Sequence, residues 1–454
     1  MTGIRIIGGG LAGCEAAWQA AERGVTVTLH EMRPVHQTEV HQTGQLAELV
    51  CSNSLRADKL DNAVGLLKEE MRRLGSLVMR AADATRVPAG AALAVDRGQF
   101  AEFITRAISG HPAITLVRDE VTDIPESRGP GEPAIVATGP LTSVRLAAAI
   151  AQLVGQEYLY FYDAISPIVL ADTIDRDQVF RASRWGRSLR PDDRPAGPAC
   201  GADDGEGDYL NCPMTAAQYA SFYDALAHAE TASVHDLDRE KFFEGCLPIE
   251  VLAHRGIDTL RFGPMKPVGL VDPKTGRMPY AVVQLRQDNL AAEHFSLVGF
   301  QTQLKWGEQA RVLRMIPGLA RAEFVRFGLV HRNTYINGPA VLCDTWQTRV
   351  RPDLFLAGQI SGVEGYVESA ASGLLAGLNA AALSADREPS CPPRSTAIGA
   401  LAHYVSHGAA GTYQPTNITF GIMEPLATSP RNKLARRLAI ADRALVDLAA
   451  WMAR

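Results

Sequence analysis

Residues 4–7 are an unbroken apolar run that feeds into three spaced glycines, Gly8, Gly10 and Gly13. The small apolar residues that follow, as far as residue 23, keep a helical spacing, and a second apolar run at residues 25–29 is closed by Glu31. Strand, glycine turn, helix, strand and acid at these intervals predict a dinucleotide-binding unit.

Each position in that turn has a physical task. Gly8 permits the tight turn out of the strand, Gly10 lets the backbone approach a pyrophosphate, and Gly13 lets helix and strand pack closely. Gly9, Leu11 and Ala12 complete the phosphate-facing turn, and the helix that starts near Leu11 aims unpaired N–H groups and a positive dipole end at the phosphates. Glu31 is placed to accept hydrogen bonds from the diol of an unphosphorylated adenosine ribose.

Two further stretches read as parts of the same domain. Residues 134–139 form an apolar strand ending in Ala137-Thr-Gly139-Pro140, and residues 354–357 form another, followed by a loop at Gly358 and a small-residue helix over residues 369–381. Between them the pattern changes to short β-rich runs, such as residues 158–168 and 280–285, with helical stretches among them. The fold class expected is α/β: a Rossmann-like FAD-binding domain built from both chain ends, with an inserted α+β domain. Its expected parts are residues 1–141, 142–326 and 327–454. Closure of the dinucleotide domain only after residue 350 favours FAD over a nicotinamide cofactor, because a long prosthetic group can be gripped at its adenosine end by the N-terminal unit and near its ribitol and ring by the Gly358 loop. Gln359 stands where many flavoproteins of this fold place an aspartate. No second glycine fingerprint marks a separate nicotinamide domain, so NAD(P)H would dock transiently.

Residues 184–208 are rich in Gly, Pro, Asp and Arg and lack apolar periodicity, which predicts a mobile surface loop. Residues 431–452 predict a basic amphipathic helix carrying Arg431, Lys433, Arg436, Arg437 and Arg443, either a solvated outer face or an RNA contact. The 454 residues exceed what one compact core usually serves. No apolar run is long enough to span a bilayer and no secretory signal is visible, so no membrane association and a cytoplasmic location are expected. The net charge of −5 gives no global attraction to nucleic acid, and any polyanion partner needs a local basic surface. The seven cysteines lack metal-ligand spacing, so no metal is expected.

Two cysteines stand in unusual surroundings. Cys51 lies in Cys51-Ser-Asn-Ser-Leu-Arg56, shortly after the adenosine-binding unit, and Cys246 lies just ahead of a predicted helix with Pro248 in its first turn, a position that favours a thiolate. The strings Cys51-Ser-Asn-Ser-Leu-Arg56, Tyr209-Leu-Asn-Cys-Pro-Met-Thr215, Phe242-Phe-Glu-Gly-Cys-Leu-Pro-Ile-Glu250, Phe262-Gly-Pro-Met-Lys-Pro-Val-Gly269 and Gly299-Phe-Gln-Thr302 closely resemble the folate- and FAD-dependent tRNA (uracil-5-)-methyltransferases, the TrmFO family. Lys305-Trp-Gly307, His331-Arg-Asn-Thr334 and the run from Gly358 to Gly373 resemble it too. The likeness covers nearly the whole chain; only the 184–208 loop departs, being longer and more polar.

That resemblance implies methylation of the T-loop uridine of tRNA, with methylenetetrahydrofolate as carbon donor and reduced FAD, regenerated by NAD(P)H, as relay and reductant. Uracil C5 becomes nucleophilic only after addition at C6, and a thiolate suits that addition because its adduct can later be expelled. By the same resemblance Cys246 is the attacking thiol, while Cys51 is a second thiol close to the flavin: a proton acceptor, a guard of the flavin, or a redox partner. Cys14, Cys200, Cys343 and Cys391 read as packing residues, and Cys212 as structural. The resemblance also implies an aromatic plate for the pterin, for which His331 is the candidate and Tyr366 the runner-up. Folate's acidic tail and RNA phosphates call for cations, and Arg286, Lys266 and Lys305 are the candidates. Rival readings are the same chemistry on a ribosomal RNA uridine and a flavin-containing RNA-binding or folding factor. The wobble-modifying relatives of this fold carry a longer helical C-terminal domain that is not recognisable here.

Overall fold

The structure is a computed structural model that describes residues 3–38, 40–155, 159–187, 207–232 and 247–454, with the backbone alone at 159–164, 330–333 and 412. Five parallel strands form the first sheet, in the order Leu354–Leu356, Ala134–Val136, Gly3–Ile7, Thr26–His30, Ile114–Val117. Ala134–Val136 and Leu354–Leu356 are buried at every position, the signature of parallel strands covered on both faces. From Gly3–Ile7 the chain turns first to Thr26–His30 on one side and only later reaches Ala134–Val136 on the other. The strand order therefore reverses at the carboxyl end of Gly3–Ile7, where open α/β sheets leave a ligand crevice.

Opposite ends of the sequence meet on this sheet. The helix Leu11–Ala21 packs against the long helix Tyr366–Ser384, and glycine makes the approach possible: a Cβ at Gly373 would lie 2.1 Å from the Ala12 carbonyl oxygen, and one at Gly377 would lie 2.5 Å from that of Ala16. One core unites Ile4, Leu29 and Phe100 with Phe355, Leu374, Ile398 and Leu448, and the helix Val144–Val154 sends Leu146 and Ile150 into it.

A second sheet has six antiparallel strands, in the order Phe180–Ala182, Tyr209–Met214, Ala281–Gln287, His294–Leu297, Ile168–Leu170, Phe324–Arg326. Its own core includes Val169, Phe222, Leu226, Val283, Leu285, Phe295 and Phe300. The helix Ala216–Ala227 starts on a capping box, in which Thr215 and Gln218 satisfy each other's backbone N–H. Ala281–Gln287 is buried along its whole length; Ala281, Val283 and Leu285 enter this core, and by strand alternation Gln284 and Arg286 face the other way. The antiparallel pair Leu159–Ala164 and Val330–Tyr335, with His331 opposite Asp163, connects the two bodies.

Several elements differ from the sequence reading. The apolar run at 158–168 divides into the strands Leu159–Ala164 and Ile168–Leu170. The strand expected to reach residue 139 ends at Val136, because Gly139 takes a φ of +66° and starts a short 3-10 turn, Gly139–Leu141. The small-residue helix begins at Tyr366 instead of 369, since Gly365 at φ +104° turns the chain sharply enough to start it there. The last helix, Lys433–Met452, is capped by Asn432. Of the loop expected at 184–208, residues 188–206 lie outside the described residues. No helix among the described residues is long and apolar enough to cross a membrane.

Candidate functional site

At the reversal point the glycine turn is built as its chemistry requires. Gly8 has a φ of +103° and donates its N–H to the His30 carbonyl at 2.8 Å. A Cβ on Gly13 would stand 1.8 Å from the Gly8 carbonyl oxygen, and one on Gly9 would strike Leu46 at 2.5 Å and the Glu31 carboxylate at 2.9 Å. Gly10 is different: a Cβ there meets nothing within 4 Å. It faces an open cavity of about 550 Å³, bounded also by Gly8, Glu31, Thr138 and Leu141. Leu11 and Ala12 are buried in the first turn of the helix behind it.

Glu31 ends the second strand with its carboxylate held on two sides. One oxygen accepts the Gly9 N–H at 2.8 Å, and the other accepts the Arg33 N–H at 3.0 Å and Arg33 Nε at 2.8 Å. Burial alone would raise this carboxyl, but the Arg33 hydrogen bonds and charge outweigh it and hold the group below its ordinary range. A fixed anion beside a helix N-terminus that opens on empty space fits the ribose and pyrophosphate of a dinucleotide, with Glu31 on the diol and Gly10 against the phosphates.

The Gly139–Leu141 and Gln359–Ser361 turns lie side by side, and the strand Val330–Tyr335 that carries His331 runs against both. Gly358, at φ +80°, donates its N–H to Ser372 Oγ at 2.7 Å. Gln359 Nε2 donates to the Glu364 carboxylate at 2.7 Å, which fixes the amide.

Around Cys51 the chain is clamped from four directions. The Tyr366 hydroxyl accepts the N–H of Cys51 at 2.7 Å and that of Ser52 at 3.2 Å. Arg286, buried on the second sheet, donates Nε to Asn53 Oδ1 and Nη2 to Ser52 Oγ, both at 2.8 Å. Arg97 donates to the carbonyls of Leu49 at 2.9 Å and Cys51 at 3.3 Å, and Arg326 donates to that of Val50 at 2.8 Å. Arg97 is itself fixed by Asp288 at 3.0 Å. Burial lowers the Arg286 and Arg326 guanidiniums, and both lie near enough to feel charge on Cys51. Burial pushes the Tyr366 phenol up, so it stays protonated; with two N–H groups on its oxygen, its O–H is the donor it has left. The loop that bears the Cys51 thiol is thus held by one phenol and three guanidiniums.

A family model described as glucose inhibited division protein A matches residues 3–388. Among curated relatives, the methylenetetrahydrofolate--tRNA-(uracil-5-)-methyltransferase TrmFO of Pelotomaculum thermopropionicum is 56% identical over 450 residues, covering 99% of this chain and 98% of that one. That of Enterococcus faecalis is 55% identical over 442 residues, covering 97% of each. The chain belongs to the TrmFO family of GidA-related flavoproteins. Among solved structures, GidA from Aquifex aeolicus superposes with a TM-score of 0.68 at 18% identity, over 99% of this chain and 72% of that one. That likeness supports the fold alone.

Within this TrmFO-family chain, Cys51, Arg286 and Tyr366 come together, although Arg286 is committed to Ser52 and Asn53. Lys305 is exposed and pairs with Glu230 at 2.6 Å. Lys266 is half-buried ahead of the strand Ala281–Gln287, and no hydrogen bond among the described residues joins either lysine to the Cys51 cluster. The side chain of His331, and the whole of Cys246 and Cys200, lie outside what is described. Cys14 and Cys212 are fully buried and their thiols are pushed up by burial, which suits packing. Among the described residues no His, Cys, Asp and Glu group could hold a metal ion. Sequence reading missed Arg33, Arg97 and Arg326. Arg33 had a local signal, a cation two residues after the fingerprint acid; Arg97 and Arg326 had none, since both act on residues far away in sequence.

Proposed function

We propose that this chain methylates C5 of the T-loop uridine of tRNA, taking the carbon from methylenetetrahydrofolate, with FAD bound along the Gly8–Gly13 turn, Glu31 and the Gly358–Gln359 turn. NAD(P)H is the proposed reductant. The observation that carries this reading is the glycine turn that opens with the fixed Glu31 on empty space, together with the Cys51 loop held by Tyr366 from the helix that follows the Gly358–Gln359 turn. When bound, the reduced flavin supplies the relay of the carbon and the electrons that take it to a methyl group.

The residues of the chain do the rest. Cys246 adds its thiolate to uracil C6, which makes C5 nucleophilic, and is expelled once the C5 proton has left. Cys51, on the loop held by Arg97, Arg286 and Arg326, is the proposed acceptor of that proton. Tyr366 and Arg286 fix the loop that bears Cys51. His331, on the strand beside the Gly139 and Gln359 turns, is the proposed plate for the pterin. Arg286, Lys266 and Lys305 are the candidates for anionic groups of the substrates; Arg286 is committed to Ser52 and Asn53 and Lys305 to Glu230, so the half-buried Lys266 keeps that proposed role.

The test uses a T-loop RNA hairpin with 5-fluorouracil at the target position. A covalent adduct that mass spectrometry maps to Cys246 is expected, and Cys246→Ala should abolish it while the protein stays yellow. An adduct on Cys51 would reverse the two roles. Methylation confined to ribosomal RNA fragments would overturn the choice of substrate.

A further inference from the structure

Lys305-Trp306-Gly307 takes no part in the chemistry above, yet its indole is 64% exposed. Leaving so large an apolar ring in water forgoes the free energy of burying it. Trp306 does not stand alone. Its ring stacks on Phe327 with centroids 6.1 Å apart and planes 18° from parallel, and Phe327 stacks on Phe324 at 5.0 Å and 22°. The Arg314 guanidinium caps the far end, 5.9 Å from the Phe324 centroid. The result is a column of three nearly parallel rings, closed by a cation at one end and open at the indole. Beside it lies a cavity of about 620 Å³, lined by Gln303, Leu304, Gly328 and Leu329 among others.

Its place in the fold is informative. The two ends of the segment that carries Cys246 are pinned to residues 301–303: the Ala232 N–H donates to the Gln303 carbonyl at 2.8 Å, and the Ile249 N–H to that of Gln301 at 2.7 Å. The buried Glu250 carboxylate locks the same stretch, accepting Thr302 Oγ1 at 2.8 Å and the Gln303 N–H at 2.7 Å. On the other side, Gly328 and Leu329 lead into the strand of His331. The open ring thus stands between the roots of the proposed nucleophile's segment and the strand of the proposed pterin plate.

We infer that Trp306 is a stacking platform for an unpaired nucleobase of the RNA loop, a neighbour of the base to be methylated. This rests on the RNA-modifying reading above. A base drawn out of a loop leaves its neighbours without a stacking partner, and a fixed aromatic ring replaces the lost contact. The rim favours a neutral ring over a phosphate, because Lys305 is paired with Glu230 and Arg311 with Glu308, each at 2.6 Å.

The test measures binding of a fluorescein-labelled T-arm RNA hairpin to the flavin-loaded full chain. Trp306→Ala should raise Kd about tenfold or more and Trp306→Phe only about threefold or less, the scale of one base–aromatic stack. Replacing loop nucleotides one at a time by abasic sites should find one position where the losses from the RNA and from Trp306→Ala do not add. Unchanged flavin absorbance and melting show that the variants are folded. Trp306→Ala binding like wild type, or losing the same factor on every abasic hairpin, overturns the platform. Wild-type methylation of the hairpin reads the reaction separately: methylation with Trp306→Ala unaffected sinks the platform alone. A Trp306-dependent, position-specific complex that is never methylated supports the platform and sinks the reaction.

Discussion

The hydroxyl of Tyr366 accepts the backbone N–H of Cys51 at 2.7 Å, a hydrogen bond between residues 315 apart in sequence. Tyr366 opens the long helix that packs on the glycine-turn helix, and Cys51 lies in the loop that Arg286 grips from the second sheet. One phenol thus ties a candidate reactive thiol to the cofactor-binding core, while arginines tie the same loop to the inserted body.

Tyr366→Phe removes the acceptor and leaves two N–H groups on a half-buried loop, at a cost of about 1–3 kcal/mol. Methylation should fall at least tenfold while flavin content stays at the wild-type level. Equal loss of flavin and activity would mean that the tyrosine serves the cofactor and not the Cys51 loop.

The glycine turn separates fold from ligand. Gly10 has extended geometry with φ −76° and faces open space, so Gly10→Val should fold with a stability change within about 0.5 kcal/mol, yet purify colourless. Gly13→Val drives a side chain into the Gly8 carbonyl, a backbone atom that cannot move aside, and should give no stable protein. Thermal melting and absorbance near 450 nm, the usual flavin band, distinguish the two; a yellow Gly10→Val protein refutes the pyrophosphate position.

Arg286→Met keeps the length of the side chain but leaves Ser52 Oγ and Asn53 Oδ1 without their donor. We expect a loss of about 1–3 kcal/mol in stability and a fall in kcat larger than any rise in the KM for folate. Arg286→Lys should not rescue, because one ammonium cannot reproduce the fork that reaches both partners. A pure KM effect would instead mean that Arg286 touches folate directly.

Glu31 gives the pH dependence. Its folded carboxyl titrates below the ordinary value of 4.5, so it releases its proton more readily than the unfolded chain does. The stability it contributes is complete above that value and is lost as pH falls through the folded one. Arg33→Met removes the side-chain hydrogen bond and charge that outweigh burial, so the variant should be less stable at neutral pH, and its melting temperature should fall less on acidification than that of wild type. Superimposable acid limbs for the two proteins would contradict this.

The glycine fingerprint was legible because its constraints are local. Gly8, Gly13 and Glu31 act on residues within a few ångströms that are also close in sequence or one strand away. Cys51 was legible as a candidate from its string, but its clamp was not: Arg97, Arg286 and Arg326 come from one helix and two strands, and nothing near each announces a partner. Lys305 shows the converse. A surface lysine in a family string suggests a substrate cation, whereas its ammonium is matched by Glu230, from a different part of the chain.

What the sequence determined by itself was the first nucleotide-binding unit and the apolar runs that become the parallel sheet, since each depends on spacing along the chain. Tertiary structure alone decided which side chains surround Cys51, that Gly373 and Gly377 press one end of the chain against the other, and that Trp306 is left in the open on a column of rings. Those outcomes depend on how two cores pack and on which face of the strand Ala281–Gln287 turns toward its neighbour. Short-range pattern carries no such information, because a side chain's partners across a sheet or between helices are set by where the backbone folds, not by its neighbours in sequence.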